Sequence, residues 1–165
     1  MAPPSIVVRS RSEAEQLLLA RRFLGVISIR DPGSPRARGL PLTDLLELEF
    51  EDALRPSLDC ALPPTEQHVR QAIEFAAPLR ESTGELLVHC EKGQSRSAAI
   101  AIALLASWLG PGEEAQAIRA GFAALSRPWA NPLLIDLADA VLERSGALAA
   151  AFTQALAAGR GGALS

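Results

Sequence analysis

The stretch VHCEKGQSRSAA, residues 88–99, puts a cysteine, a glycine, an arginine and a serine at spacings that could do chemistry on an anion. Cys90 closes an apolar run, ELLVHC, that reads as a buried strand. SAAIAIALLASWLG (97–110) has the length and propensity of a core helix. A strand, a short loop and a helix start in that order point several backbone amides and a helix N-terminus into one small cup. Free amides and the helix macrodipole make such a cup bind anions. Gly93 lets the loop turn where a side chain would forbid it. The planar fork of Arg96 can clamp two oxygens of a tetrahedral oxyanion. Cys90 lies at the centre of that positive field, so it is expected to act as a thiolate nucleophile. Ser97 is placed to hydrogen-bond the sulfur, and His89 to hold the loop from behind as a structural donor.

The elements that must position these residues follow from the rest of the pattern. SIVVRS (5–10), GVISI (25–29) and LLELEF (45–50) read as strands. SRSEAEQLLLA (10–20) starts with a serine cap and reads as a helix. PTEQHVRQAIEFAAPL (64–79) is a second helix with Pro64 and Glu66 near its first turn. After the Cys90 loop come helices over 97–110, 112–125 and 133–146, the last two separated by SRPWANP. The order predicts a single α/β domain with a central, mostly parallel sheet flanked by helices on both faces. Its bounds are set at 1–150, with 151–165 extending the last helix and fraying at the glycine-rich end. RDPGSPRAR (30–38) reads as a solvated loop, with a basic rim to the anion site as the lesser alternative, and Trp129 as packing on the far side of the sheet, with its loop bordering the pocket as the alternative.

Whole-chain properties exclude several classes. The 165 residues carry a net charge of −3, which argues against a general nucleic-acid or anionic-membrane binder. Any anion site must then be local. Two cysteines, Cys60 and Cys90, do not make a disulfide scaffold. With His68 and His89 they lack metal-ligand spacing, so no metal or cofactor is expected. No apolar run reaches membrane-spanning length, and MAPPSIVVRS lacks a secretory pattern. A soluble cytoplasmic protein is the expectation.

HCEKGQSRS resembles the H-C-x-x-G-x-x-R-S signature of protein tyrosine phosphatases in their dual-specificity form. The order of elements over roughly residues 40–145 is similar to that of small bacterial members of the superfamily. The resemblance implies metal-independent phosphoryl transfer. Cys90 would attack phosphorus and form a phosphocysteine, while the backbone of Glu91, Lys92, Gly93, Gln94, Ser95 and Arg96, with the Arg96 guanidinium, holds the oxygens. It implies a phosphorylated protein or a small phosphomonoester as substrate.

A carboxylic acid from a loop upstream would protonate the leaving group. Two aspartates fit. Asp52 directly follows the strand LLELEF, and its FEDA context looks like an F-x-D of bacterial relatives; Asp59 lies 31 residues before Cys90, the spacing of compact dual-specificity members. The strand-end position favours Asp52, with Asp59 as the alternative and Glu51 as a third candidate. The same cup could instead serve arsenate reduction, with Cys60 as a second thiol. It could also serve sulfur transfer, or phosphate binding without turnover.

Overall fold

The computed structural model describes residues 2–162. Four short strands, β1 (Ser5–Arg9), β2 (Gly25–Arg30), β3 (Leu45–Glu49) and β4 (Glu85–His89), form one sheet in the order β1-β4-β2-β3. Every pairing is parallel, with Val8 opposite Val88 and Ile27 opposite Val88 fixing the register around β4. Because the strands run parallel, all four C-terminal ends lie along one edge. The loops that follow them carry Ser10, Asp31, Asp52 and Cys90. Crevices at that edge are where open parallel sheets bind ligands.

Side-chain alternation divides the core. Ile6, Val8, Ile27, Ile29, Leu86 and Val88 face a large apolar core shared with helices α2 (Glu66–Ala76) and α3 (Arg96–Leu109). Val7, Val26 and Leu87 face the opposite way and pack against Ala14 of α1 (Arg11–Ala20). Helices therefore cover both faces, one on the smaller side. β4 is buried from both, which explains its unbroken apolar run. Helix α3 is buried along most of its length, as its alanine- and isoleucine-rich sequence requires.

Two boundaries differ from the sequence reading. Helix α2 starts later than Pro64, because Thr65 caps it. The Thr65 hydroxyl accepts from the His68 amide, and His68 Nδ1 accepts from the Thr65 amide. A histidine fills the place that Glu or Gln normally takes in this reciprocal box. The tail is also not an extension of the preceding helix. After α4 (Glu114–Ala123), α5 (Pro132–Val141) stops, and α6 (Ala147–Gly162) begins as a separate helix. Glu143, Ser145 and Gly146 all take positive φ between them. Buried Asp139 accepts from the amides of Gly146, Leu148 and Ala149. It thus caps α6 from within α5 and outweighs the helical propensity of the alanine-rich segment. Leu148 and Phe152 then join the large core.

β4 ends on His89, which is 1% exposed. Its Nδ1 lies 3.4 Å from Cys90 O, so a proton on Nδ1 points at that carbonyl. Nε2 is buried without a partner among the described residues. Burial pushes the imidazole pKa below its ordinary 6.5 and the Arg11 charge adds to this; the contact with the Cys90 carbonyl and the charge of Glu15 act the other way. Below about pH 6.5 the unfolded chain therefore takes up a proton at His89 more readily than the folded protein does.

Two predictions follow from these packing arrangements. Asp139→Ala should lower stability by about 1.5–3 kcal/mol, the scale of losing charged hydrogen bonds to buried amides; urea unfolding reads this, and an unchanged midpoint contradicts the capping role. Because the His89 pKa is depressed, stability should fall as pH drops below 6.5. His68, lowered by burial too, adds to the same slope. His89→Gln should flatten the decline, and an undiminished slope in that variant contradicts a buried neutral imidazole.

Candidate active site

The loop after β4 wraps around the Cys90 sulfur. Cys90 is 2% exposed, and its Sγ lies 3.1 Å from Ser97 Oγ. The Gly93 amide donates to Sγ at 3.3 Å. Of the amides in Glu91–Ser95, that of Gly93 alone donates to an acceptor among the described residues. Gly93 has φ +68°, and a Cβ there would collide with the backbone of Arg9 and Ser10. Both the conformation and the close approach of β1's end demand glycine.

Helix α3 begins at Arg96 without a side-chain cap, although serine occupies the capping position. Ser95 would normally turn its hydroxyl onto the first amides of the helix. Here it donates to Asp52 Oδ1 at 2.8 Å instead. The first amides of α3 are thereby left for another acceptor, at the positive end of the helix.

Arg96 is 4% exposed. One nitrogen, Nη1, donates to Phe50 O at 2.7 Å and lies 2.8 Å from Asp31 Oδ1. Nε is buried and has no partner among the described residues. A buried guanidinium donor left unmatched is costly, and the donor suits an incoming oxyanion. Phe50 is itself locked: its ring is fully buried and stacks on His68 with centroids 4.6 Å apart, and its amide donates to Arg30 O.

Cys90, Glu91, Lys92, Gln94, Ser95 and Arg96 line one cleft of about 380 Å³, and its other walls are Asp31, Asp52, Leu54, Arg127 and Trp129. Asp52 therefore shares the cleft with Cys90. Asp59 does not; it is exposed on the following loop, where its amide meets Ser57 Oγ. Glu51 points elsewhere. It accepts from the Cys60 thiol at 2.9 Å and from the Leu62 amide at 2.8 Å. The contact with Cys60 is the main cause of its lowered pKa, and the same contact pushes the Cys60 thiol up. Cys60 is thus kept protonated, and it is not among the residues lining the cleft.

Three residues that the sequence reading did not assign to the site belong to it, two lining the cleft and one buried behind it. Trp129 faces this cleft rather than the far side of the sheet; the segment SRPWANP turns back over the Cys90 loop, where the Asn131 amide donates to Ser95 O. Asn131 is fully buried; its Nδ2 donates to Asp52 Oδ1 at 2.7 Å and to Ala53 O at 3.0 Å. Its own Oδ1 caps α5 through the Leu134 amide. One side chain thus fastens the Asp52 loop to the wall of the cleft. Only its position before Pro132, a helix-start pattern, was visible beforehand. Asp31 is the third. Its loop is not merely solvated, and its arginines do not form a basic rim. Arg36 pairs with Glu47 and Arg38 with Glu15.

Among the described residues no group of three or more His, Cys, Asp or Glu is arranged to hold a metal ion. No helix among them is long and apolar enough to cross a membrane.

No protein-family model matches the chain, and no curated protein matches it. Solved structures do. Human DUSP28 is 24% identical, with 85% of this chain and 92% of that one covered at a TM-score of 0.60. DUSP15 is 22% identical, covering 93% and 94% at a TM-score of 0.62. The PTP-2 phosphatase of Cydia pomonella is 19% identical, covering 82% and 84% at 0.58. A four-stranded, all-parallel sheet flanked by helices, matched over most of each chain, gives this protein a dual-specificity phosphatase-like fold.

Proposed function

We propose that the chain is a cysteine-dependent phosphatase that hydrolyses phosphomonoesters through a phosphocysteine. The observation that carries this reading is the partnerless, buried Arg96 Nε in the same cleft as the Cys90 sulfur. A buried cation with a free donor suits an oxyanion, and a sulfur in the same cup suits attack on its central atom.

In the first step the Cys90 thiolate attacks phosphorus in line, and the bond from phosphorus to the leaving oxygen breaks. Asp52 gives its proton to that oxygen. Two donors, Ser95 Oγ and Asn131 Nδ2, hold Oδ1, which leaves Oδ2 to carry the proton. The uncommitted loop amides and Arg96 stabilise the charge on the equatorial oxygens. In the second step water attacks phosphorus, Asp52 takes the water's proton, and the sulfur–phosphorus bond breaks. The Ser97 hydroxyl, 3.1 Å from Sγ, stabilises the departing thiolate.

The lining charges favour a substrate with one phosphate. With Asp52 carrying the proton it transfers, Asp31 and Glu91 offset two of the three cations Lys92, Arg96 and Arg127, so the cleft lacks the cationic surplus that a polyphosphorylated headgroup would need. Leu54 and Trp129 offer apolar walls to the organic part. A phosphotyrosine or other phosphorylated residue in a protein, or a small aryl phosphate, fits this balance. Asp52 is the general acid in this account, and Asp59 has no part in the chemistry.

Hydrolysis of para-nitrophenyl phosphate should persist with excess chelator and vanish in Cys90→Ser. Turnover that the chelator stops, or that survives loss of the thiol, contradicts the reading. Asp52→Asn should lower kcat on a poor leaving group, such as a phosphotyrosyl peptide, on the order of 10²-fold, and Asp59→Asn should leave it unchanged. The reverse pattern moves the acid to Asp59. Arsenate and thiosulfate, offered to the same preparations, should give no reduction and no sulfur transfer.

A further inference from the structure

We propose that the apolar groove between the loop 53–64 and the start of α5 is a substrate subsite. It takes an uncharged apolar side chain of a phosphorylated protein, within about four residues of the phosphorylated one. This rests on the phosphatase reading of the cleft and names the flanking sequence that the cleft prefers.

The loop that leads away from Asp52 turns its leucines to solvent. Among the described residues five large apolar side chains are exposed, and three of them, Leu54, Leu58 and Leu62, fall in this loop. The loop is nevertheless held. At one end Asn131 Nδ2 donates to Ala53 O at 3.0 Å. At the other, the Glu51 carboxylate accepts from the Leu62 amide, and the Glu51 amide donates to Leu62 O, both at 2.8 Å. The Cys60 thiol donates to the same carboxylate at 2.9 Å. Pro56, Pro63 and Pro64 restrict the backbone further. A loop held at both ends with its leucines outward keeps an apolar patch in water, and such patches mark interaction surfaces.

The patch borders a groove of about 430 Å³. Pro56, Leu58, Pro63 and Pro64 form one wall. Leu133 and Leu137, four apart on one face of α5, form the other. Among the described residues no charged side chain lines it, and Ser57 is its one polar residue. The same two chain segments wall the catalytic cleft. The loop gives Asp52 and Leu54 to the cleft, then Pro56 and Leu58 to the groove. The other segment gives Trp129 to the cleft, then Leu133 and Leu137 to the groove. Asn131 lies between them and ties the two segments together through Asp52 and Ala53. The groove therefore continues the cleft away from Cys90. The four residues from Leu54 to Leu58 span at most about 14 Å, which is also the reach of about four residues of an extended substrate.

Charge and size name the occupant. The chain carries a net charge of −3 and the adjoining cleft has no cationic surplus, so nothing draws an anionic bilayer to this face. Seven residues line the groove, against roughly 20–30 a side in a stable protein–protein interface, so a second copy finds too little here. A side chain projecting from an extended peptide needs neither. With the phosphoryl group in the Arg96 cup, the intervening backbone passes Leu54 and the apolar side chain fills the groove. That burial is the same in the ground state and the transition state, so it lowers KM and leaves kcat nearly unchanged.

The experiment uses phosphotyrosyl peptides with alanine on both sides and one leucine moved through about four positions each way. Wild type, Leu58→Ala, Leu58→Glu and Leu42→Ala are compared, and each leucine peptide is set against the all-alanine one within the same variant. In wild type one position should lower KM about tenfold, the scale of one buried aliphatic side chain. Leu58→Ala should cut that preference to a few-fold and Leu58→Glu should remove it. Leu42, equally exposed but outside the groove, should be replaceable without loss of the preference. Leu58 is fully exposed, so its replacement does not threaten folding. No preferred position, or a preference that survives Leu58→Glu, overturns the proposal. Faster hydrolysis of phosphatidic acid in phosphatidylcholine vesicles, abolished by Leu58→Glu, also overturns it and gives the groove to an acyl chain. A dimer in light scattering that Leu58→Glu dissociates overturns it in favour of a second copy. Fluorescence anisotropy of the labelled peptides on Cys90→Ser needs no turnover. An inactive wild type would sink the phosphatase reading, and the affinity ratio of leucine to alanine peptides would still decide the role of the groove.

Discussion

Everything at the C-terminal edge of the sheet depends on keeping a guanidinium in the interior with one of its donors unmatched. Arg96 is 4% exposed, and a buried cation is tolerable only when its charge and N–H groups are answered. Asp31 answers the charge and Phe50 O answers part of the hydrogen bonding. Nε is left without a partner. That deficit is energetically unfavourable in the resting protein and becomes favourable when an oxyanion supplies the missing acceptor. The same logic governs the start of α3, where Ser95 gives its hydroxyl to Asp52 and leaves the helix uncapped.

The fold supplies the rigidity this requires. A parallel sheet delivers four chain ends to one edge, and β4 lies inside it, so Cys90 emerges between β1 and β2. The close approach of Gly93 to the end of β1 fixes one side of the loop. Asn131 fixes the other, joining the Asp52 loop, the Ser95 carbonyl and the start of α5. Each support arrives from a different element, so the geometry does not rely on any single loop's preference.

Much of this was legible in the sequence, and the reasons are local. The apolar run before Cys90, the glycine three residues on and the arginine six residues on are constraints within one strand, loop and helix. Strand and helix periods placed β1 to β4 and α1 to α5 within a few residues. What was not legible arises between distant segments. Asp31 meets Arg96 across 65 positions and Asn131 meets Asp52 across 79. Nothing in DPGS or ANP distinguishes a site residue from a turn or cap, since the same residues also make the turn and the cap. The break before α6 was missed because Asp139 caps that helix from the preceding one, against the propensity of the alanines. The choice between Asp52 and Asp59 stayed open for the same reason, since both are loop aspartates and only the tertiary fold brings one of them to the cleft.

The most direct test of the central claim is to catch the covalent intermediate. An aryl phosphate with a good leaving group needs little help from an acid in the first step, so Asp52→Asn should still be phosphorylated, while breakdown of the intermediate, which needs a base, should be slow. Rapid quenching of that variant in acid, followed by mass spectrometry of its peptides, should find one added phosphoryl group on the peptide carrying Cys90, and none when Cys90→Ser is added. Label on another residue, or no label during measurable turnover, would contradict the account.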